Sequence, residues 1–131
     1  MEAARRYSLI LLDEDAETAR QINHLLGKIF RVLSTHESKV ALRWLESDRS
    51  VKVLMVDQNI RGVSGLEILD QAKTLRSDIR RILITRYEDL SSIIQGLHSD
   101  AVNRTISKPV DRTELVAALT FSGDQVSAPA N

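Results

Sequence analysis

VKVLMVDQNIRGVSGLEILDQAKTL, residues 51–75, holds one complete strand-to-helix unit. Val51 to Val56 is almost unbroken in Val, Leu and Met, the pattern of a strand covered on both faces of a parallel sheet. Asp57 closes that run. Beyond it, Leu66, Leu69, Ala72 and Leu75 recur every third residue and draw one apolar stripe along a helix. Ser64 followed by Glu67 has the spacing of a capping box at the helix start. The stretch therefore predicts a buried strand, a connection and an amphipathic helix.

The same unit recurs in both directions. Strand-like runs are YSLILL (Tyr7 to Leu12), FRVLS (Phe30 to Ser34), RILIT (Arg81 to Thr85) and VNRTIS (Val102 to Ser107). Leu90, Ile93, Ile94 and Leu97 form a second helical stripe, and Trp44 shares a stripe with Ala41 and Leu45, where it reads as core. Ser34 with Glu37 and Asp111 with Glu114 repeat the capping-box spacing. Five strand–helix pairs result, which predicts an α/β domain: a doubly wound, five-stranded parallel sheet with right-handed crossovers and helices on both faces. In such sheets ligands gather beyond the carboxyl ends of the strands, where the winding reverses.

Bulk properties narrow the classes of function. A chain of 131 residues fits one domain, which the periodicity assigns to residues 1–121. The remainder, SGDQVSAPAN (122–131), has no periodicity and reads as a loose terminus or a linker toward an output domain lying elsewhere. Lys plus Arg and Asp plus Glu both number 18 and form no basic block, which argues against direct nucleic-acid binding. Leu9 to Leu12 ends at Asp13, far short of the roughly 20 apolar residues of a membrane span. No signal peptide is visible and cysteine is absent, so the cytoplasm is the expected compartment.

With strands so placed, polar residues fall at strand ends. Asp13 and Glu14 follow the first strand, Asp57 the third and Lys108 the fifth, while Thr85 ends the fourth. Crowded carboxylates repel one another and call for a cation, and an oxygen-only donor set favours Mg²⁺. A metal and Lys108 together would neutralise a transferring phosphoryl group, with the Thr85 hydroxyl donating to one of its oxygens. Asp57 then becomes a nucleophile that yields an aspartyl phosphate. Taken singly, each position has an ordinary explanation as a cap or loop residue, and Asp13 or Asp15 suits the cap of the first helix. Taken together at four strand ends, coincidence explains them poorly.

At this point the chain resembles the receiver domains of two-component response regulators, the CheY-like superfamily, from about Tyr7 to Leu119. The resemblance rests on LILLDED, VLMVDQNIRGVSGLEIL, RILITRYEDL and ISKPVDRTEL, which keep the family's order and spacing, including Gly65 eight residues past Asp57. It implies the flavodoxin-like (βα)5 receiver fold. It also implies phosphorylation on Asp57, with Thr85 and Lys108 completing the phosphoryl site. The implied Mg²⁺ ligands are Asp13, Glu14, Asp57 and the backbone carbonyl of Asn59. Pro109 matches the family's proline after the lysine, whose peptide bond is typically cis. The implied donor is a sensor histidine kinase or a phosphotransfer protein, and the receiver itself catalyses transfer and slow hydrolysis, as a signalling phosphoacceptor rather than an enzyme of metabolism. The resemblance further admits a homodimer through the fourth and fifth helices.

Four positions depart from the pattern. Glu14 stands where Asp is commoner and reaches one methylene farther. Arg61 replaces the usual Pro, which predicts a looser loop. Arg86 follows Thr85 where a small residue is usual; it either covers the acceptor pocket and hydrogen-bonds the phosphoryl group or is an exposed loop residue. Thr105 replaces an aromatic residue that couples the site to the surface, leaving Tyr87 or the fourth helix as alternative readouts. These departures motivate a rival, a phosphorylation-independent pseudo-receiver acting as a binding or dimerisation module. A second rival is a haloacid-dehalogenase-type phosphohydrolase using Asp13 and Asp15; it suffers from Glu17 where its motif requires Thr, and from the chain's length. His24, His36 and His98 lack metal-ligand spacing and read as structural or surface residues.

Overall fold

The computed structural model describes residues 7–96 and 100–120. Strands β1 (Tyr7–Leu12), β2 (Phe30–Thr35), β3 (Val51–Asp57), β6 (Arg80–Arg86) and β7 (Arg104–Lys108) form one parallel sheet. Their order is β2-β1-β3-β6-β7, so the winding reverses between β1 and β3, as in a flavodoxin-like sheet. Helices α1 (Ala16–Leu26), α2 (Ser38–Ser47), α3 (Gly65–Leu75), α4 (Leu90–Gly96) and α5 (Arg112–Leu119) lie between or after the strands. Among the described residues, no helix is long and apolar enough to cross a membrane.

The apolar runs are explained by two cores, one on each face. Leu9, Leu11, Val53, Met55, Ile82 and Ile84 pack with Ile22 and Leu26 of α1 and Leu115 of α5. Their neighbours Ile10, Leu12, Leu54, Val56 and Leu83 face the other way, onto Ala41 and Leu45 of α2 and Ile68, Leu69 and Ala72 of α3. Alternate residues thus serve opposite cores, and no polar face is left in the central strands. Trp44 is partly buried against the second core.

Several local expectations are corrected. Ser34 lies inside the edge strand β2 and caps nothing; α2 starts after Glu37, which makes no side-chain cap. Ser64 does cap α3, accepting from the Leu66 amide at 3.2 Å. Asp111 caps α5, but the Glu114 carboxylate reaches the Ser107 amide and hydroxyl instead of closing the box. The α3 stripe shifts onto Gly65, Ile68, Leu69 and Ala72, leaving Leu75 exposed. Ile94 is likewise exposed, while Leu97, His98 and the 122–131 tail lie outside the described residues. The last strand begins at Arg104 rather than Val102.

Arg61 brings order where a loose loop was expected. Asn59–Ile60 (β4) and Val63–Ser64 (β5) pair as a small antiparallel hairpin turned by Arg61 and Gly62. Both turn residues have positive φ, 52° and 85°, the combination a type I′ turn requires and a conformation that the proline ring forbids. Asn59 Oδ1 accepts from the Gly62 amide at 3.0 Å and further ties the turn. At Gly65, a Cβ would overlap the Asp57 carbonyl oxygen. Glycine is needed there so that α3 can start directly against the end of β3.

At the opposite end of the sheet, buried arginines close the structure. Arg76 donates to the carbonyls of Leu45, Asp48 and Val51 and pairs with Asp78 at 3.0 Å. Arg81 donates to the carbonyls of Ala101, Ser77 and Ile79. Replacing Arg76 removes a donor from three backbone carbonyls at once and takes from Asp78 its paired guanidinium. Arg76→Ala is expected to lower stability by about 2–4 kcal/mol, read as a lower urea midpoint at unchanged m-value.

Candidate functional site

The carboxyl ends of β1, β3, β6 and β7 bring one set of side chains together. Asp13, immediately after β1, is buried; its amide donates to the Thr35 carbonyl and its Oδ1 accepts from the Asp15 amide at 2.9 Å. Lys108, the last residue of β7, places Nζ 3.0 Å from Asp13 Oδ2, 3.6 Å from Asp57 Oδ2 and 3.7 Å from Asp15 Oδ2. One ammonium therefore serves three carboxylates. The Lys108–Pro109 peptide bond is cis, in line with the sequence expectation.

Burial pushes the Asp57 carboxyl above its ordinary value of 3.8, and the nearby Asp13 charge pushes it further; Lys108 opposes both. Thr85, next to last in β6, is completely buried, and its hydroxyl has no hydrogen-bond partner. Asp13 Oδ2 is also buried and accepts no hydrogen bond despite its ion pair. Buried polar atoms of this kind are expensive unless a partner arrives. A cavity of about 380 Å³ opens here, lined by Asp15, Asp57, Gln58, Asn59, Arg86 and Lys108.

Glu14 does not join the group. Its carboxylate is exposed and paired with Arg61 at 3.3 Å. Among the described residues, accordingly, no cluster of three or more acidic, His or Cys side chains is gathered to hold a metal. Asp13 and Asp57 still suit a hard cation: two near carboxylates share a single lysine, and one buried oxygen lacks a hydrogen bond. His24 and His36 are exposed.

Three participants escaped sequence reasoning or were undervalued. Asp15 caps the first helix, as its position suggests, accepting from the Glu17 amide and the Thr18 hydroxyl, yet it also faces Lys108. Gln58 and Asp89 join Arg86 at the cavity rim: Asp89 Oδ2 accepts from Arg86 at 3.1 Å and from Gln58 Nε2 at 3.3 Å. The only sequence signal was the i, i+3 spacing of Arg86 and Asp89, common to countless exposed pairs.

Comparison with known proteins bears on this geometry. The family model for the response regulator receiver domain matches residues 9–120. The hydrogenase transcriptional regulatory protein HoxA of Cupriavidus necator is 28% identical over 105 residues, covering 80% of this chain and 22% of HoxA. The photosynthetic apparatus regulatory protein RegA of Cereibacter sphaeroides is 25% identical over 122 residues, covering 93% of this chain and 66% of RegA. The chain thus spans about a fifth of the first relative and under two-thirds of the second. A response regulator receiver domain protein from Clostridium thermocellum has the same fold, with TM-score 0.72 and 24% identity over 86% of this chain and 90% of that one.

The crowding at Asp57 has a measurable consequence. Folded Asp57 holds its proton to higher pH than the unfolded chain does, so its contribution to stability falls as pH rises from 3.8 through the raised value. In chelator, Asp57→Asn is expected to be more stable than the parent at pH 7, with the advantage vanishing below pH 3.8. Equal urea midpoints at both pH values would show that Asp57 is not strained by its neighbours.

Proposed function

Because the chain belongs to the response regulator receiver domain family, we propose that it is a phosphoacceptor in which Asp57 receives a phosphoryl group and thereby switches a partner or output segment. The observation that carries this reading is Lys108, held 3.0 Å from Asp13 and 3.6 Å from Asp57 at the mouth of a polar cavity. Asp57 supplies the nucleophilic oxygen. Its new bond to phosphorus forms as the bond from phosphorus to the donor breaks, and the leaving group keeps that electron pair. Lys108 stays beside the acceptor and neutralises negative charge on the phosphoryl oxygens. Thr85, whose buried hydroxyl lacks a partner, donates to one of them.

Mg²⁺ is the expected cofactor, with Asp13, Asp57 and the Asn59 backbone carbonyl as its holders and Glu14 joining once released from Arg61. When bound, it neutralises charge on the phosphoryl oxygens as transfer proceeds. The donor class is a phosphohistidine on a sensor kinase or phosphotransfer protein, met in the cytoplasm. HoxA and RegA are regulatory proteins longer than this chain, which supports a readout lying outside the receiver. Arg86 does not argue for a sealed, non-switching module, because it is 64% exposed and held at the rim by Asp89.

Incubation with Mg²⁺ and acetyl phosphate is expected to add one phosphoryl group to the intact mass, and neither Asp57→Asn nor a sample in chelator should gain it. An adduct that persists in Asp57→Asn, or none under any condition, would overturn the reading. Arg61→Ala frees Glu14 and should lower the Mg²⁺ concentration for half-maximal adduct by roughly two- to fivefold, the scale of an exposed ion pair. An unchanged requirement would remove Glu14 from the metal site.

A further inference from the structure

Arg86 occupies an unusual position. It directly follows the buried Thr85, lines the same cavity as Asp57 and Lys108, and is held there by the carboxylate of Asp89 at 3.1 Å, with Glu88 farther off at 3.8 Å. Asp89 closes the 3-10 turn Tyr87–Asp89 that leads into α4. Its same oxygen also accepts from Gln58, the residue after the acceptor. One carboxylate oxygen therefore ties the end of β3, the end of β6 and the start of α4.

Charge makes this arrangement conditional. Lys108 already serves Asp13, Asp15 and Asp57, so a phosphoryl group arriving on Asp57 adds negative charge that this lysine cannot balance alone. Among the described residues lining the cavity, Arg86 is the other cation. A guanidinium prefers the paired oxygens of a phosphoryl group to a shared, single carboxylate oxygen.

We propose that Arg86 is a ligand of the phosphoryl group, exchanging Asp89 for phosphoryl oxygens when Asp57 is modified and so releasing the Tyr87–Asp89 turn and α4. This deepens the phosphoacceptor reading and rests on it. The exchange also gives the chain a link from the site to its surface that does not use the aromatic residue missing at Thr105. Tyr87, 72% exposed, sits on the turn that is released.

The competition between Asp89 and the phosphoryl group fixes the signs of a test. At a set concentration of acetyl phosphate and Mg²⁺, Arg86→Ala is expected to lower the steady-state phosphorylated fraction about threefold or more, and Asp89→Asn to raise it. Arg86→Lys should fall between Arg86→Ala and the parent. In the Arg86→Ala background, Asp89→Asn should have no further effect. A merely structural ion pair predicts the same sign for both single changes, because either one breaks it. Amide NMR supplies the second readout: Leu90 and the Gln58 side chain should shift on phosphorylation of the parent and much less in Arg86→Ala.

Each outcome decides. Opposite signs with the expected non-additivity support the exchange. Adduct formation on Asp57 that is indifferent to Arg86, or lowered by both single changes, overturns it while leaving the phosphoacceptor reading intact. An adduct seen only in Arg86→Ala makes Arg86 a blocking residue and overturns the exchange. No adduct in any form overturns both readings.

Discussion

The Lys108 ammonium is the contact on which the site depends. It comes from the end of β7 and meets Asp13 from β1 and Asp57 from β3, so it bridges strands on both sides of the reversal in winding. If Asp13, Asp15 and Asp57 are all ionised, this single cation leaves two negative charges uncompensated in its immediate surroundings. The imbalance appears in Asp57, whose carboxyl is raised by burial and by Asp13. Excess negative charge beside a buried Thr85 hydroxyl without a partner suits the hard cation and oxyanion proposed for the site.

The fold separates this demanding chemistry from the contacts that stabilise the chain. A parallel sheet sends the carboxyl ends of its strands to one edge, and both faces are sealed by apolar cores. Polar side chains therefore converge at the edges. At the carboxyl edge they are few and incompletely satisfied. At the other edge, Arg76 and Arg81 are buried and donate to backbone carbonyls. Gly65 joins the two requirements, since its missing side chain lets α3 begin against the backbone of Asp57 without moving the acceptor.

Backbone-level features were legible because they depend on local pattern. Unbroken apolar runs identified β1, β3 and β6, and the residues ending them identified Asp13, Asp57, Thr85 and Lys108 as neighbours. Errors arose where tertiary position overrides local pattern. Ser34 has the right spacing to cap α2 but is already committed to an edge strand. Leu75 and Ile94 keep helical periodicity yet fall beyond the surface that the sheet covers. Side-chain direction was not legible at all: adjacency placed Glu14 beside Asp13, whereas its carboxylate turns outward to Arg61. The hairpin that holds Arg61 depends on two positive φ angles, which a substitution for proline does not announce.

The proposed metal site rests on Asp13 and Asp57 as an under-compensated acid pair. Its most direct test is a Mg²⁺ titration of thermal unfolding for the parent, Asp13→Asn and Asp57→Asn. Specific binding to the folded state should raise the parent's midpoint by the logarithm of free Mg²⁺ once the site fills, and either variant should lose most of that rise. A midpoint that ignores Mg²⁺, or climbs equally in all three proteins, would rule out Asp13 and Asp57 as its holders.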